Sequence, residues 1–530
     1  MTKFLAQSRH LSDAAVLYAA CSILAPVVGV TVEMALAWRF GASGLMDAFR
    51  ADYLLIGFGS SLLFGQILPH ILIPAFYYHA RAHSEEDAWR FCFSLGAVLG
   101  LLTLGASLII CIDPEPLVTF LAPGLRDAAR AQACALAKYF SLSLALMTWS
   151  GVMNGILHIY RIFIVLPLCQ ILSNVLLVTA VMLFGGISGL ASIGGAVLAS
   201  SALMVLIHVL CLLAMRRRLG FEGKILKKFS SVNELRLNLR AAWPLFLLFG
   251  VQQFTIVIMN RAWSVLSPGT LAKAGYAWKL LMLSSLVPTS LAIVMFPSLS
   301  EAAARGNSDL ERHRLERALR MSLFLCIPLL PVLYILRSEI VQWLFARGAM
   351  GAAQAGAIGD VFGLLLIGAP AGVISAVLMK FFCARQDVRT PLLAGVMTAI
   401  ASAILAPWAA RTEGVWGVAM VLNLTSWMNA VALFFAQMWL HRMIRVGKFA
   451  LYVGKLSAIS ASIAALALVN PPRDPASPIT RALLDLTVLA GSLGIWYWVA
   501  RALSVAEAHE ILTYAKSRIC GVPARLGLRA

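Results

Sequence analysis

Charge is scarce in this chain: only 13% of its 530 residues are Asp, Glu, Lys or Arg, and acids are the rarer kind, 24 against 43 bases. A soluble chain of this size could form two or three domains, but it could not bury the 60% of its residues that are hydrophobic. There is no CxxC pair and no His-rich cluster, which removes the usual metal signatures, and nine scattered cysteines suggest no disulfide framework. Also missing are a Walker-type phosphate loop, a GxSxG turn and an HExxH helix. The longest segments expected outside the membrane, near 113–130 and 337–356, are too short for a separate catalytic domain. These absences point away from an enzyme, a metal protein and a resident cofactor. The net charge of +19 is read as cationic loops beside anionic lipid, with no nucleic-acid partner.

What the chain has in abundance is long apolar runs, with a mean hydropathy of +0.85. About 20 apolar residues are needed to cross about 30 Å of hydrocarbon. Fourteen segments qualify: 14–36, 53–77, 91–112, 131–155, 162–184, 191–214, 241–266, 271–297, 318–336, 357–380, 391–410, 415–438, 449–469 and 482–503. The first follows Lys3 and Arg9 without a clear cleavage site, so it reads as an uncleaved span. Basic residues concentrate in 215–240, 300–320 and the C-terminal tail, which orients the chain with both termini in the cytoplasm. The segment 300–320 reads as a polar or interfacial helix.

The two halves echo each other. "DAFRADYLL" (47–55) aligns with "KAGYAWKLL" (273–281), Pro74 and Arg81 with Pro297 and Arg305, and Arg161 and Pro167 with Arg385 and Pro391. These landmarks share almost one offset. Six spans per copy make the repeats parallel, an arrangement that commonly encloses a central cavity. The expected organisation is an N-lobe over 1–214, a basic connector over 215–240, a C-lobe over 241–440, two additional spans over 441–505 and a cytoplasmic tail over 506–530. The fold class is an all-α polytopic membrane protein of about 14 helices, two parallel six-helix repeats plus two C-terminal helices.

Charges inside such spans are the candidate site. Lys279 is eight residues into its span, roughly 12 Å deep at 1.5 Å per residue. A charge at a helix centre costs about 2.5–3.5 kcal/mol on insertion scales, so a watery cavity is its natural surrounding. Arg261 is roughly 8 Å deep, within snorkelling reach, but its planar fork suits phosphate. Glu33 is read as a cavity-lining ion-pair partner or an interface residue. Lys138, Lys380 and Lys455 read as snorkellers, and Asp485 as interfacial. Trp38, Trp89, Trp263 and Trp439 fit aromatic belts.

Several segments resemble the MurJ/MviN family, within the multidrug/oligosaccharidyl-lipid/polysaccharide exporter superfamily. They are "FGASGLMDAF" (40–49), "GILHIYRIFIVLPLCQILSN" (155–174), "FPSLSEAAARG" (296–306), "LFARGAM" (344–350) and "FFCARQDVRTP" (381–391), in that order. The resemblance covers roughly 14–445. It implies two six-helix lobes around a cationic cavity and the flipping of an undecaprenyl-pyrophosphate-linked glycan precursor from the cytoplasmic to the periplasmic leaflet of the bacterial inner membrane. By the same resemblance, Lys279 stands where the family usually has a cavity arginine, Glu33 keeps an acidic position and Asp47 is the "DAF" acid, both possible cavity partners. The sequence departs from the family at Pro26 and Val32, which take the first-helix arginine positions, and at Ser60 and Ser61, which take those of the second. That thinner set of cations shifts the expected cargo toward an exopolysaccharide-type repeat unit, with peptidoglycan lipid II close behind. An ion gradient or the membrane potential is the expected driving force, and anionic lipids and glycan polymerase or export machinery are the expected further partners. Two other readings fit the sequence: a cation-coupled drug exporter of the same superfamily, which suits an acidic cavity better, and a non-transporting subunit of a glycan-export complex.

Overall fold

The computed structural model describes residues 21–58 except 23, 68–219 except 83 and 161, 232–469, and residues 491 and 494. Ser60, Ser61, Arg161, Asp485, most of the last expected span and the tail lie outside the described residues. Among the described residues every regular element is helical. In chain order they are α1 (24–40), α2 (Gly44–Phe58), α3 (Leu68–Ala82), α4 (Glu85–Ile112), α5 (Glu115–Leu121), α6 (Asp127–Ile159), α7 (Val165–Phe184), α8 (Leu190–Leu219), α9 (Val232–Ser264) and α10 (Thr270–Ser284). There follow α11 (Leu286–Ala304), α12 (Ser308–Cys326), α13 (Leu329–Ile335), α14 (Arg337–Phe345), α15 (Ala352–Leu365), α16 (Ala369–Ala384), α17 (Arg389–Thr412), α18 (Gly414–Leu440) and α19 (Val446–Val469). Nine stretches of the described residues are long and apolar enough to cross a membrane, each coinciding with an expected span.

The chain divides into two compact units, one of Met1–Lys279, Gln342–Ile358 and Ala399–Val421, the other of the remaining segments. In the first unit α6 is the central post, packed by α2, α3, α4 and α8. Over 140–153 its residues are all apolar or small, which is the pattern of a helix surrounded by protein. Small residues let neighbours close on it: a Cβ at Gly96 or Gly100 of α4 would overlap Val152 or Trp149 of α6. Trp89 belongs to this core, donating to the Tyr160 hydroxyl at 2.9 Å, and Trp263 is also buried, whereas Trp38 and Trp439 are exposed. Trp89 and Trp263 thus depart from the aromatic-belt role expected of all four.

Two of the family-like segments meet in this unit. Gly41 ends α1 at φ +62°, and Gly348 has the same φ. The Ala349 N–H donates to the Trp38 carbonyl at 2.8 Å, a Cβ at Gly348 would overlap that carbonyl, and one at Gly41 would press on the Ala349 carbonyl. Left-handed backbone and close main-chain approach both demand glycine here. The "FGAS" and "ARGAM" residues are thus accounted for by backbone packing.

In the second unit α11, α12 and α16 pack around Phe381, Phe382, Leu315 and Leu319. Segment 300–320, expected as a polar or interfacial helix, runs on into the following span: Asn307 caps α12 through Leu310 N, and the candidate span covers Ser308–Ile335 with a break at Pro328. The polar face of α12 carries an ion pair: Arg385 donates Nε and Nη2 to the two oxygens of buried Glu311, at 2.6 and 2.7 Å. Arg385 Nη1 lies 2.7 Å from His441 Nδ1, and burial, with the Arg385 cation beside it, holds the imidazole below its ordinary pKa, so it accepts. "ARQDVRTP" therefore fastens α16 to α12 and to the end of α18.

The expected span 357–380 is broken by a 3-10 turn at Leu366–Gly368, ahead of Pro370. Proline has no N–H to continue the helical ladder, and carbonyls freed in an apolar setting need other donors. Asn423 Nδ2 bonds the Leu364 carbonyl at 2.8 Å and Trp427 Nε1 the Ile367 carbonyl at 3.0 Å, both from α18. Asn423→Leu orphans a buried carbonyl and should cost about 1–3 kcal/mol, read as a lower midpoint of thermal unfolding in detergent; an unchanged midpoint would show that the break needs no cap.

Candidate functional site

α2 begins nine residues ahead of the expected span, at Gly44, and this moves three charged residues, Asp47, Arg50 and Asp52, into the helix. Asp47 lies in its first turn and Arg50 three residues on, so both project from one side of α2. The Asp47 carboxylate accepts from the backbone N–H groups of Gly269 at 2.5 Å and Ala272 at 2.7 Å. Those donors are among the unpaired groups at the start of α10, so Asp47 acts as a cap supplied by another helix. It fixes where α10 begins, and Lys279 lies two helical turns along α10 from Ala272.

Arg50 meets Glu33 of α1. Nη2 pairs with Oε2 and Nη1 with Oε1, the latter at 3.2 Å, and both side chains are over nine-tenths buried. The guanidinium also stacks on the Tyr276 ring, 4.6 Å from its centroid, while the Tyr276 hydroxyl donates to the Gly41 carbonyl at 3.2 Å. A Cβ at Gly275 would overlap Arg50 Nε and Cδ. Glu33 is thus an ion-pair partner, but of a residue that sequence reasoning passed over. Arg50 falls outside the segment 53–77; its spacing of three from Asp47 and its place in the repeat, opposite Tyr276 of span 271–297, are the signals that put it on a helix.

Next to this pair is a narrow, open-mouthed cavity with room for about one water molecule; all the space between atoms there, open mouth included, comes to about 350 Å³. Its wall comprises α1, α2, α7, α8 and α10, with Glu33, Tyr53, Asn174 and Lys279 as the polar members. The Lys279 ammonium lies 3.4 Å, and Asn174 Nδ2 3.5 Å, from where a Cβ on Gly29 would stand, so the bare backbone of Gly29 leaves them room. Asn174 is held by a 3.1 Å bond from Nδ2 to the Ala25 carbonyl. Among the described residues, Lys279 has no carboxylate within ion-pair distance.

The structure brings Lys279 and Glu33 to one wall and puts Arg261 and Asp47 elsewhere. Arg261 donates through Nη1 to the Phe120 carbonyl and stacks on the Phe120 ring at 5.3 Å, while neighbouring Asn260 bonds the Leu121 carbonyl at 3.1 Å. Both satisfy free carbonyls at the C-terminus of α5, where the helix dipole favours a cation. Lys138 is exposed as expected, and the Lys380 ammonium is 5.5 Å from the Phe296 ring centroid. Sequence reasoning also missed Asp52, fully buried on α2 with neither carboxylate oxygen hydrogen-bonded. It points away from Arg50, two residues on, on the opposite side of the helix. Among the described residues no group of three or more His, Cys, Asp or Glu could hold a metal.

A helical membrane protein whose cavity wall carries a cation with no carboxylate partner among the described residues has the features of a transporter, and the comparisons agree. The family model described as lipid II flippase MurJ matches residues 36–471. This chain belongs to the MurJ family and is a membrane transporter rather than an enzyme. A curated relative from Rhizobium meliloti, strain 1021, named probable lipid II flippase MurJ, is 26% identical over 504 residues, covering 91% of this chain and 92% of its own. One of the same name from Aquifex aeolicus, strain VF5, is 25% identical over 407 residues, covering 74% and 76%. A solved structure of lipid II flippase MurJ in an inward closed conformation superposes with a TM-score of 0.78 at 18% identity, covering 94% of this chain and all of that one. An inward-facing multidrug resistance transporter of the MATE family gives 0.64 at 16% identity, covering 79% and 95%.

Two outcomes check the supporting residues. Asp47→Asn keeps one acceptor where there were two and should lower stability by about 1 kcal/mol, the usual value of one hydrogen bond, measured as the thermal midpoint in detergent. Asp52→Leu removes an unpartnered buried polar group, whose cost is about 1–3 kcal/mol, so the same melting experiment should show a rise. A fall would mean that Asp52 has a partner essential to the fold.

Proposed function

We propose that this protein flips an undecaprenyl-pyrophosphate-linked glycan, lipid II, from the cytoplasmic to the periplasmic leaflet of the bacterial inner membrane. The single observation that carries the site is Lys279: an ammonium in a cavity wall, with room left by Gly29 and no carboxylate within ion-pair distance among the described residues. A group of that kind suits an anionic headgroup, and a diphosphate supplies the charge. Lipid II is preferred over the exopolysaccharide-type unit suggested by Pro26 and Val32 because the family model and curated relatives bear its name. Arg50 also offsets the argument for a depleted cation set, since it brings a positive charge from α2 to the first-helix acid.

In this reading the lobes 1–214 and 241–440 rock to open the cavity to alternate sides, both termini staying in the cytoplasm. Lys279 meets the pyrophosphate while the prenyl tail remains in lipid. A cavity that binds equally on both sides moves nothing uphill, so an ion gradient or the membrane potential supplies direction. The carboxylate of Glu33 is already paired, which leaves the cavity wall cationic and disfavours a cationic drug as cargo.

The test is flipping in reconstituted vesicles of fluorescent lipid II against a lipid-linked repeat unit of comparable size. Lys279→Ala should slow lipid II flipping at least about tenfold, the value of one lost charge contact of about 1.4 kcal/mol, and Lys279→Arg should retain much of the rate. Wild-type speed in the alanine variant removes Lys279 from the mechanism; flipping of the repeat unit alone would reassign the cargo.

A further inference from the structure

The three charges around the cavity do not have equal claims on one another. Lys279 lies one turn beyond Tyr276 on α10, and Gly29, beside its ammonium, lies one turn before Glu33 on α1. The same Tyr276 supports the Arg50 guanidinium from its ring face. Glu33 therefore shares the cavity wall with Lys279 and touches Arg50, and both its oxygens go to Arg50. Arg50 itself does not line the cavity. Glu33 occupies its two terminal nitrogens, Tyr276 covers a face, and Gly275 leaves no space beside Nε. It is badly placed to touch a headgroup and well placed to control its neighbour.

We propose that Arg50 is a positioning residue that occupies Glu33 and so prevents this carboxylate from neutralising Lys279, leaving the ammonium available to an anionic headgroup. The inference rests on the reading of Lys279 as the anion contact. The physical basis is competition for one carboxylate. A planar guanidinium matches both oxygens at once, whereas an ammonium makes a point contact. Stacking on Tyr276 strengthens the hold on the guanidinium. With Arg50 in place, the wall sums to one positive charge, located on Lys279; without it, Glu33 turns to Lys279 and the wall becomes neutral. Since Pro26 and Val32 stand where the resemblance expects arginines, the cation that restrains the first-helix acid comes from the second helix.

The experiment measures binding of undecaprenyl pyrophosphate to the full-length protein in detergent for Lys279→Ala, Arg50→Gln, Arg50→Lys, Glu33→Gln and the double variant Arg50→Gln/Glu33→Gln. Arg50→Gln should weaken binding about tenfold, equivalent to about 1.4 kcal/mol, although Lys279 is untouched. The double variant, lacking the competing carboxylate, should return to within about twofold of wild type, as a charge contact freed of its competitor regains most of its value. Glu33→Gln alone should bind at least as well as wild type, and Arg50→Lys, which grips one oxygen instead of two, should be intermediate. A double variant no better than Arg50→Gln overturns the proposal, because Arg50 would then act directly or through the fold. Should Arg50→Gln fail to fold, wild-type binding by Arg50→Lys together with weakened binding by Glu33→Gln overturns it equally. Weak binding by Lys279→Ala with wild-type binding by Arg50→Gln defeats this inference alone, whereas wild-type binding by Lys279→Ala defeats the reading beneath it.

Discussion

An apolar surrounding offers a polar group no water, so each one placed there must be answered by another part of the chain. Much of this structure follows from that constraint. The Arg50–Glu33 pair is its most concentrated expression: two buried charges matched oxygen to nitrogen and covered by an aromatic ring. Removing one partner from such a pair leaves the other charged and unsolvated, which costs about 3–5 kcal/mol. The pair thus ties α1 and α2 together and sets Tyr276 of α10 against them. The Asp47 cap on α10 and the Asn423 and Trp427 bonds at the helix break in the second unit answer the same demand with backbone groups in place of charges.

Against that background, an ionic group left without an answering carboxylate among the described residues stands out. Arg261 is matched by the carbonyl end of α5, and Arg385 by Glu311 and His441. Lys279 has cavity space instead. The surroundings separate Lys279 from Arg261 more sharply than their depths in the apolar runs, roughly 12 and 8 Å, had done.

How far the sequence could be read follows from the kind of signal involved. Apolar runs are long-range averages and survive local irregularity, so nine expected spans coincide with nine described helices or helix pairs. Breaks depend on single residues and their partners: Pro370 was visible, but Asn423, which makes the break tolerable, is a lone polar residue in an apolar helix with nothing in its own surroundings to announce the role. Lys279 and Glu33 were legible as charges out of place. Arg50 was not, because it lay just outside a window defined by hydrophobicity, in a helix that begins earlier than its apolar stretch. The glycines at 41 and 348 were legible as a family resemblance, and their contact supplies the mechanical reason for it.

In the proposed function, the choice of lysine at 279 would bear on selectivity. A guanidinium is flat and imposes an angle on whatever it grips, while an ammonium is nearly spherical and turns freely about its last bond. An anchor of the second sort registers that a charge has arrived but is indifferent to its orientation. Discrimination among sugars would then fall to the shape of the enclosure, where Tyr53 and Asn174 are the side chains with an edge to offer.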